Sequence, residues 1–586
     1  MSTTSSDIAL AQIVAGAEKV LAVNQNIQDV IAYYEANLAG LKSSSALAPL
    51  WFNLGVAHTS AQNFSKAIGC YQQSQMLLPT FWQASANLGN LYERLHQRDQ
   101  AIELYEAILK MPLDIEGRRF LSNQLGRLYE NEHQFSKAIA VYSKSLAIDP
   151  TQRDTFQHWF YLRQKQCAWP LGVLPKPLSI NELAGSMGSL SAMAYFDDPS
   201  LLKLVCTEWV QRFKKGSSFT HFTKPGQRYQ HSKIRIGYVS GDFRMHAVCF
   251  LSAELYGLHN RQSFEVYGYD FSKDDSSQVR SQVISGMDHF HSIHDLSDEQ
   301  AARLIHDNEI DILVDLVGLT AGGRPGIFMY KPAPLQISYL GFLGPVGIPE
   351  IDYLVCDPYV VPAKWAADYG AKPLYIPFYQ INNSLRQSAA PGSRQSYGLP
   401  ENAYVFCALN NPYKITEEIF ARWMQILRNT HNSVLWLLEG DEGLRENLRS
   451  FARLHRVDTE RLIFAKPVHP AHYLARFQCA DLFLDTSPYN AGITGSDALW
   501  MGLPLLTCPG NTYVSRMAAS LLLQLKLDEF VCDSWEDYIN KAITYCRTNS
   551  ARVHFNAVFD RQSPIFNSQF FVKNYENALL ELMNKG

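Results

Sequence analysis

The sequence predicts an α + α/β protein in which N-terminal helical repeats of the tetratricopeptide type precede a pair of Rossmann-like lobes. Three observations predict it. One helical pattern recurs three times between residues 51 and 147; from Lys233 onward short β-branched runs alternate with helix-length segments; and a second series of the same alternation begins after residue 400.

The repeats read "WFNLGVAHTSAQNFSKAIGCYQQS", "SANLGNLYERLHQRDQAIELYEAI" and "SNQLGRLYENEHQFSKAIAVYSKS". Gly55, Gly89 and Gly126 correspond, as do Ala67, Ala101 and Ala138, and Tyr71, Tyr105 and Tyr142. The intervals of 34 and 37 residues match a 34-residue tetratricopeptide repeat with a three-residue insertion. Small residues let paired helices approach, Leu and Tyr fill the space between them, and stacking buries a continuous core. "VNQNIQDVIAYYEANLAG", just before, has helical periodicity and reads as a degenerate cap or an additional repeat. Three clear repeats point to a concave surface for a protein partner rather than to plain helical hairpins.

These elements divide the chain into a repeat domain (1–150), a helical linker region (151–230), a first α/β lobe (231–400), and a second lobe with a closing helix (401–586). The polar stretch "KKGSSFTHFTKPGQRYQHSK" marks the join to the first lobe. Its strands are read at "KIRIGYVS", "FEVYGYDF", "IDILVDLVG" and "LQISYLGF", with "DEQAARLIHDN" a helix between two of them. "HFHSIH" is read as surface imidazoles at strand-like spacing. In the second lobe "YVFCALNN", "SVLWLLEG", "RLIFAKP", "DLFLDT" and "LPLLTCPG" take the strand positions.

With 52 Lys+Arg against 56 Asp+Glu, the net charge of −4 offers no overall basic field for nucleic acid, so none is expected as a partner. There is no basic, then apolar leader and no run of 18 apolar residues, which leads to the expectation of a soluble, cytoplasmic chain without a membrane span. The ten Cys stand singly, without a C-x-x-C pair or a His at metal-ligand spacing, and are read as reduced thiols.

Chemistry is expected where polar and small residues gather at strand ends: "YVSGDFRMHAV", "LVGLTAGGR", "YLGFLGPVG", "ALNNPYK" and "LDTSPYNAGITGSD". Neither G-x-x-x-x-G-K-[ST] nor G-x-G-x-x-G opens a helix here, which counts against an ATPase or a simple dehydrogenase. The loop "NAGITGSDALWMG" joins an apolar strand to a helix, the kind of junction that offers free backbone N–H groups to phosphate. No acidic pair suggests a divalent cation, so a lysine would have to offset a diphosphate.

On these stretches, together with "KPAPLQISYLGFLGPVGIPEIDYLVCD", "NNPYKITEEIFARWMQIL" and "PGNTYVSRMAASLL", residues 233–560 resemble the catalytic region of the O-linked N-acetylglucosamine transferase and SPINDLY family, a bacterial member in style. The repeats in front match the family's order. The resemblance implies a GT-B enzyme, inverting and metal-independent, that transfers a sugar from a nucleotide sugar to a protein hydroxyl. N-acetylglucosamine from UDP-N-acetylglucosamine is the first donor to consider; glucose or fucose donors, and a non-catalytic scaffold that senses nucleotide sugar, stay open. The acceptor protein would be held by the repeats; no cofactor or metal is implied, and no oligomeric state is assigned.

The resemblance also implies roles. Lys414 would hold the diphosphate, with Asn411 beside it where many relatives have Gln. Val468 would set its backbone beside the base, Tyr473 would stack on it, and Arg476 shares that helix. Ile493, Thr494, Gly495 and Ser496 would present donors at the helix start, and Asp497 would accept from ribose hydroxyls. His246, after "SGDF", would serve the sugar or acceptor site, with a pKa near neutrality suited to proton transfer. Many relatives carry His-Thr-Thr where this chain has Gly492, Ile493 and Thr494, and each absent donor weakens diphosphate binding by roughly 1 kcal/mol. Leu319 and the "GPVG" loop Gly344–Gly347 are further departures that leave the donor open.

Overall fold

The computed structural model describes residues 5–39, 41–172 and 178–585. The described residues form two compact units, one reaching to Leu162 and the other made of Arg163–Gly172 together with the chain from Leu178 onward.

The first unit is a series of helical hairpins: Ala48–Ser60 with Phe64–Leu77, Trp82–Arg94 with Arg98–Ile108, and Ile115–Asn131 with Phe135–Ile148. The glycine–tyrosine register explains the pairing. A Cβ on Gly55, Gly89 or Gly126 would come within 2.7, 2.2 and 2.4 Å of the ring of Tyr71, Tyr105 or Tyr142 respectively, so each glycine is where the second helix lays its tyrosine on the first. The segment before the repeats follows the same rule. Helices Ser5–Asn24 and Ile27–Leu38 pair with Tyr33 over Gly16, so this is a further repeat-like hairpin.

The second unit holds two parallel sheets. The strands of the first are β1 (Ile234–Ser240), β2 (Phe264–Asp270), β3 (His289–Ser292), β4 (Ile312–Asp315), β5 (Leu335–Ser338), β6 (Tyr353–Cys356) and β7 (Lys372–Tyr375), in the order β3-β2-β1-β4-β5-β6-β7. The second has β8 (Tyr404–Ala408), β9 (Ser433–Leu438), β10 (Leu462–Ala465), β11 (Leu482–Leu484) and β12 (Leu505–Leu506), ordered β10-β9-β8-β11-β12. Every strand read from sequence is present. "HFHSIH" also supplies a strand: β3 is an edge strand whose His289 stacks on Tyr267 with ring centroids 4.3 Å apart. β6 and β7 are additional to the sequence reading. The order in which the chain adds strands reverses once in each sheet, between β1 and β4 and between β8 and β11, and such switch points open a crevice at the carboxyl ends of the strands.

Helices Ile180–Ser186, Ser189–Met193 and Pro199–Lys214, from the segment read as a linker, fold with the lobes. Asp197 accepts hydrogen bonds from the Asn511 backbone (2.9 Å) and the Ser515 hydroxyl (2.7 Å) of the second lobe. The closing helix, Ser568–Lys585, returns to the first lobe: Glu576 accepts from the Asn260 backbone at 2.7 Å and pairs with His259, while the Ser568 hydroxyl donates to Glu254 at 2.7 Å.

Candidate active site at the two switch points

The loops that leave the two switch points carry most of the candidate residues. β1 is followed by "GDFRMH", which ends at the N-cap of helix Ala247–Ser252; that cap is His246. Its Nδ1 lies 3.4 Å from both the Val248 N–H and Asp242 Oδ2. The two contacts require different tautomers, because donation from Nδ1 to Asp242 leaves Nε2 as acceptor, whereas acceptance from Val248 places the proton on Nε2. Burial holds the imidazole below its usual pKa, with Asp242 opposing that shift and Arg244 adding to it.

In the second lobe, β8 runs into Asn410 and Asn411 and then into the short turn Pro412–Lys414. The neighbouring strand β11 ends at Leu484 and delivers Asp485, Thr486 and the loop to Gly492. Lys414 reaches across this gap. Its Nζ donates to the Asn490 carbonyl at 3.1 Å and lies 3.8 Å from the centre of the Tyr489 ring. Burial lowers its pKa to about 8, with the Asp485 carboxylate opposing the shift. Asp485 is buried and raised to about 7 by desolvation, although its oxygens accept from the Thr507 hydroxyl (2.6 Å) and the Ala491 (2.7 Å) and Thr486 (2.8 Å) N–H groups. An ammonium held among carbonyl, ring and carboxylate at the carboxyl edge of a parallel sheet is placed to meet an anion arriving there.

Gly492 caps helix Ile493–Trp500 without a side-chain hydrogen bond, so the first N–H groups of that helix are not taken by a capping side chain. Burial pushes the Tyr473 phenol up, with Asp497 adding to the shift and Arg476 and the Thr494 side chain opposing it, and Gly495 packs against Leu505. Ser496 and Asp497 turn toward the segment that joins the two lobes. The Ser496 hydroxyl donates to Asn382, while Arg386 Nη2 lies 3.0 Å from Ser496 Oγ and its Nη1 lies 2.5 Å from Asp497 Oδ1. Asp497, read from sequence as a ribose acceptor, is therefore in an ion pair, and burial raises its pKa against the pull of Arg386.

Tyr473 and Arg476 share helix Pro470–Arg476, with the guanidinium carbon 4.4 Å from the Tyr473 ring centre. The buried Arg476 Nη1 donates to the Lys466 carbonyl at 3.4 Å, and its Nε has no hydrogen-bond partner among the described residues. Val468 is 39% exposed in the loop before that helix, and Asn411 is exposed with its side chain 3.5 Å from the Tyr413 N–H. The second lobe thus carries Lys414 after β8, Tyr473 and Arg476 after β10, and Ile493 and Thr494 after β11, all beyond the carboxyl ends of its strands, while His246 stands in the first lobe with first-lobe neighbours.

Four further residues receive no individual role from the sequence. Arg386 is separated from Asp497 by 111 positions and sits in no motif. Asp485 lies within the strand-end stretch "LDTSPYNAGITGSD", and an acid closing an otherwise apolar run is itself a signal. Asn410 and Asn490 are buried, and each has a side-chain oxygen without a hydrogen-bond partner among the described residues. Their amides flank Thr486: Asn410 Nδ2 donates to its hydroxyl and Asn490 Nδ2 to its carbonyl, both at 2.8 Å.

Comparison with known proteins agrees with this layout. A model of glycosyl transferase family 41 matches residues 203–383 and 380–576, and tetratricopeptide models match residues 84–119 and 121–152. Over 364 residues the chain is 34% identical to an Arabidopsis thaliana protein named "Probable UDP-N-acetylglucosamine--peptide N-acetylglucosaminyltransferase SEC", covering 60% of this chain and 37% of that protein. Over 425 residues it is 26% identical to a UDP-N-acetylglucosamine–peptide N-acetylglucosaminyltransferase of Caenorhabditis elegans, covering 53% and 37%. The chain spans 37% of the length of each of these relatives. A solved structure of a Thermobaculum terrenum O-GlcNAc transferase mutant superposes with a TM-score of 0.65 at 22% identity, covering 92% of this chain and 98% of that one. That likeness establishes the fold: helical repeats followed by a GT-B pair of lobes.

Proposed function

Since the chain belongs to glycosyl transferase family 41, we propose that it is a protein O-glycosyltransferase, moving N-acetylglucosamine from UDP-N-acetylglucosamine to a serine or threonine hydroxyl with inversion and without a metal. The observation that carries the reading is the placement of Lys414 beside the Gly492–Thr494 helix start, at the switch point of the second sheet. A diphosphate seated there would meet the ammonium and the helix-start N–H groups together, and both strengthen their hold as the leaving nucleotide gains charge.

On this reading Tyr473 and Arg476 form the wall against the base, with the Val468 backbone at its edge. The unpartnered oxygens of Asn410 and Asn490 accept from donors that arrive with the substrate. His246, with Nδ1–H directed to Asp242, accepts the acceptor hydroxyl proton at Nε2 as the sugar is transferred. The repeats hold the acceptor polypeptide. No described helix is long and apolar enough to cross a membrane, and the enzyme is proposed to work in the cytoplasm.

A transfer assay read by mass spectrometry, with a panel of UDP-N-acetylglucosamine, UDP-glucose and GDP-fucose and candidate acceptor proteins, tests the proposal. Product from one donor, abolished by Lys414→Ala in a folded protein, supports it. Absence of product from every donor, with nucleotide sugar still bound, would replace it by a sensing scaffold.

A further inference from the structure

The ammonium of Lys414 sits where few groups can offset its loss of water. Its Nζ donates to the Asn490 carbonyl at 3.1 Å, and among the described residues no carboxylate oxygen lies within 4.0 Å of it. Asp485 is the acid that acts on it, and the oxygens of that acid are already taken by the Thr507 hydroxyl and the Ala491 and Thr486 N–H groups. A desolvated cation in that position is costly unless something else meets its charge. The Tyr489 ring does so: its centre is 3.8 Å from Nζ, well inside the distance of about 6 Å over which a ring face attracts a cation.

The ring is fixed from both flanking loops. Tyr413, the residue before Lys414, meets it edge-on, with centroids 6.0 Å apart and ring planes at 78°. The Tyr489 carbonyl accepts from the Thr486 hydroxyl at 2.6 Å, and Thr416 Oγ1 donates to the Ser487 carbonyl at 3.2 Å. The turn after β8 and the loop after β11 are thus joined around the ammonium. Burial pushes the Tyr489 phenol up to about 12, with the Tyr413 side chain opposing the shift, so the ring is still neutral where Lys414 titrates. It offers the cation a π face and no anion.

We propose that Tyr489 is a positioning residue, whose ring face keeps the Lys414 ammonium charged and in place at the carboxyl edge of the second sheet. Its purpose there rests on the diphosphate role of Lys414 given above. A ring suits that role better than a carboxylate in contact would. A carboxylate would neutralise the ammonium and repel an arriving diphosphate, whereas a ring has no net charge and its quadrupole field fades faster with distance than that of a charge. Tyr489 stabilises the cation without cancelling it.

The test reads the charge of Lys414 directly. Acetic anhydride labels the neutral amine, so the pH midpoint of Lys414 acetylation in the full chain, followed by mass spectrometry of its peptide, reports the pKa without any nucleotide sugar. Tyr489→Phe keeps the ring and is expected to keep the midpoint at about 8. Tyr489→Leu keeps an apolar cover without the ring face, and is expected to lower the midpoint by about one unit. The sign separates this role from that of a plain cover, whose loss admits water and moves the midpoint upward. Tyr489→Met makes the same comparison if Tyr489→Leu does not fold. In the transfer assay the alkaline limb of kcat/KM is expected to move down with the midpoint. A midpoint that stays or rises in folded Tyr489→Leu, or that falls as far in Tyr489→Phe, overturns the inference. A midpoint that falls as expected while no donor gives product upholds the hold of the ring on the ammonium and overturns the transfer reading instead.

Discussion

Arg386, on the connector between the two lobes, donates through Nη1 to Asp497 Oδ1 at 2.5 Å, and the two side chains are only 7% and 12% exposed. The same connector holds the helix start a second time, through the Ser496 hydroxyl and Asn382. The helix start that the proposed mechanism uses for the diphosphate is thereby tied to the segment that joins the lobes. Breaking one half of such a buried pair leaves a charge unpaired, at a cost of about 3–5 kcal/mol. Asp497→Leu and Arg386→Met are each expected to lower Tm by several degrees, and the double variant to recover much of the loss. Thermal melts of all four proteins complete the cycle. If the double variant also binds UDP about tenfold more weakly by calorimetry, Asp497 touches the ribose as well as Arg386, since a hydrogen bond to a charged group is worth that much.

The pH dependence of kcat/KM follows from two groups. His246 has a folded pKa below its ordinary value of 6.5, so the imidazole gains its neutral, proton-accepting form as pH rises through a point below 6.5. Lys414, at about 8, loses its ammonium as pH rises through that value. The expected profile is a bell with an acid limb below 6.5 and an alkaline limb near 8. In kcat the alkaline limb moves upward, because a bound diphosphate favours the ammonium. Initial rates across pH 5–9.5 measure both limbs, and a kcat/KM that does not fall up to pH 9.5 would overturn the assignment of the alkaline limb to Lys414.

Asp485 sets where that alkaline limb falls, because its carboxylate is the group that opposes the lowering of the Lys414 pKa. Asp485→Asn is expected to move the limb downward by about one unit, within the range an opposite charge imposes on a neighbour. Stability carries a second signature. The folded pKa of Asp485 is raised to about 7 from an ordinary 3.8, so its contribution is fully present below 3.8 and is lost as pH rises through 7. The parent Tm is expected to fall more steeply between pH 5 and 7.5 than that of Asp485→Asn, a difference that melts at several pH values detect.

The parts of the molecule legible in the sequence are those written in short-range pattern. The repeats declare themselves because each Gly must face a Tyr sixteen residues later, and the strands because buried parallel strands are continuous apolar runs. β6 and β7 were passed over because "YLVC" and "KPLY" are four residues long with polar neighbours, and only the sheet's register identifies them. Lys414 and His246 stand in strand-end loops, which sequence can place. Which loop faces which carboxylate is a long-range matter: the ion pair of Asp497 joins residues 386 and 497, and the sequence around Arg386 marks no such partner.

Glycines in the repeats give a prediction in which neighbouring positions respond oppositely. Gly89 and Gly69 are both helical, and on intrinsic propensity alone alanine would stabilise each by up to about 1 kcal/mol. At Gly89 the new methyl carbon would lie 2.2 Å from the Tyr105 ring, which is buried with no room to withdraw. Gly89→Ala is therefore expected to destabilise the repeats by about 1–3 kcal/mol, the usual range for overpacking. At Gly69 the methyl enters open space, and Gly69→Ala is expected to raise stability by about 0.5–1 kcal/mol. A second substitution separates packing from propensity: in the Tyr105→Leu background Gly89→Ala is expected to lose most of its cost, because the ring it struck is gone. Urea titration of these variants measures the changes, and a Gly89→Ala variant as stable as the parent would show that the glycine–tyrosine contact does not set the spacing of the helices.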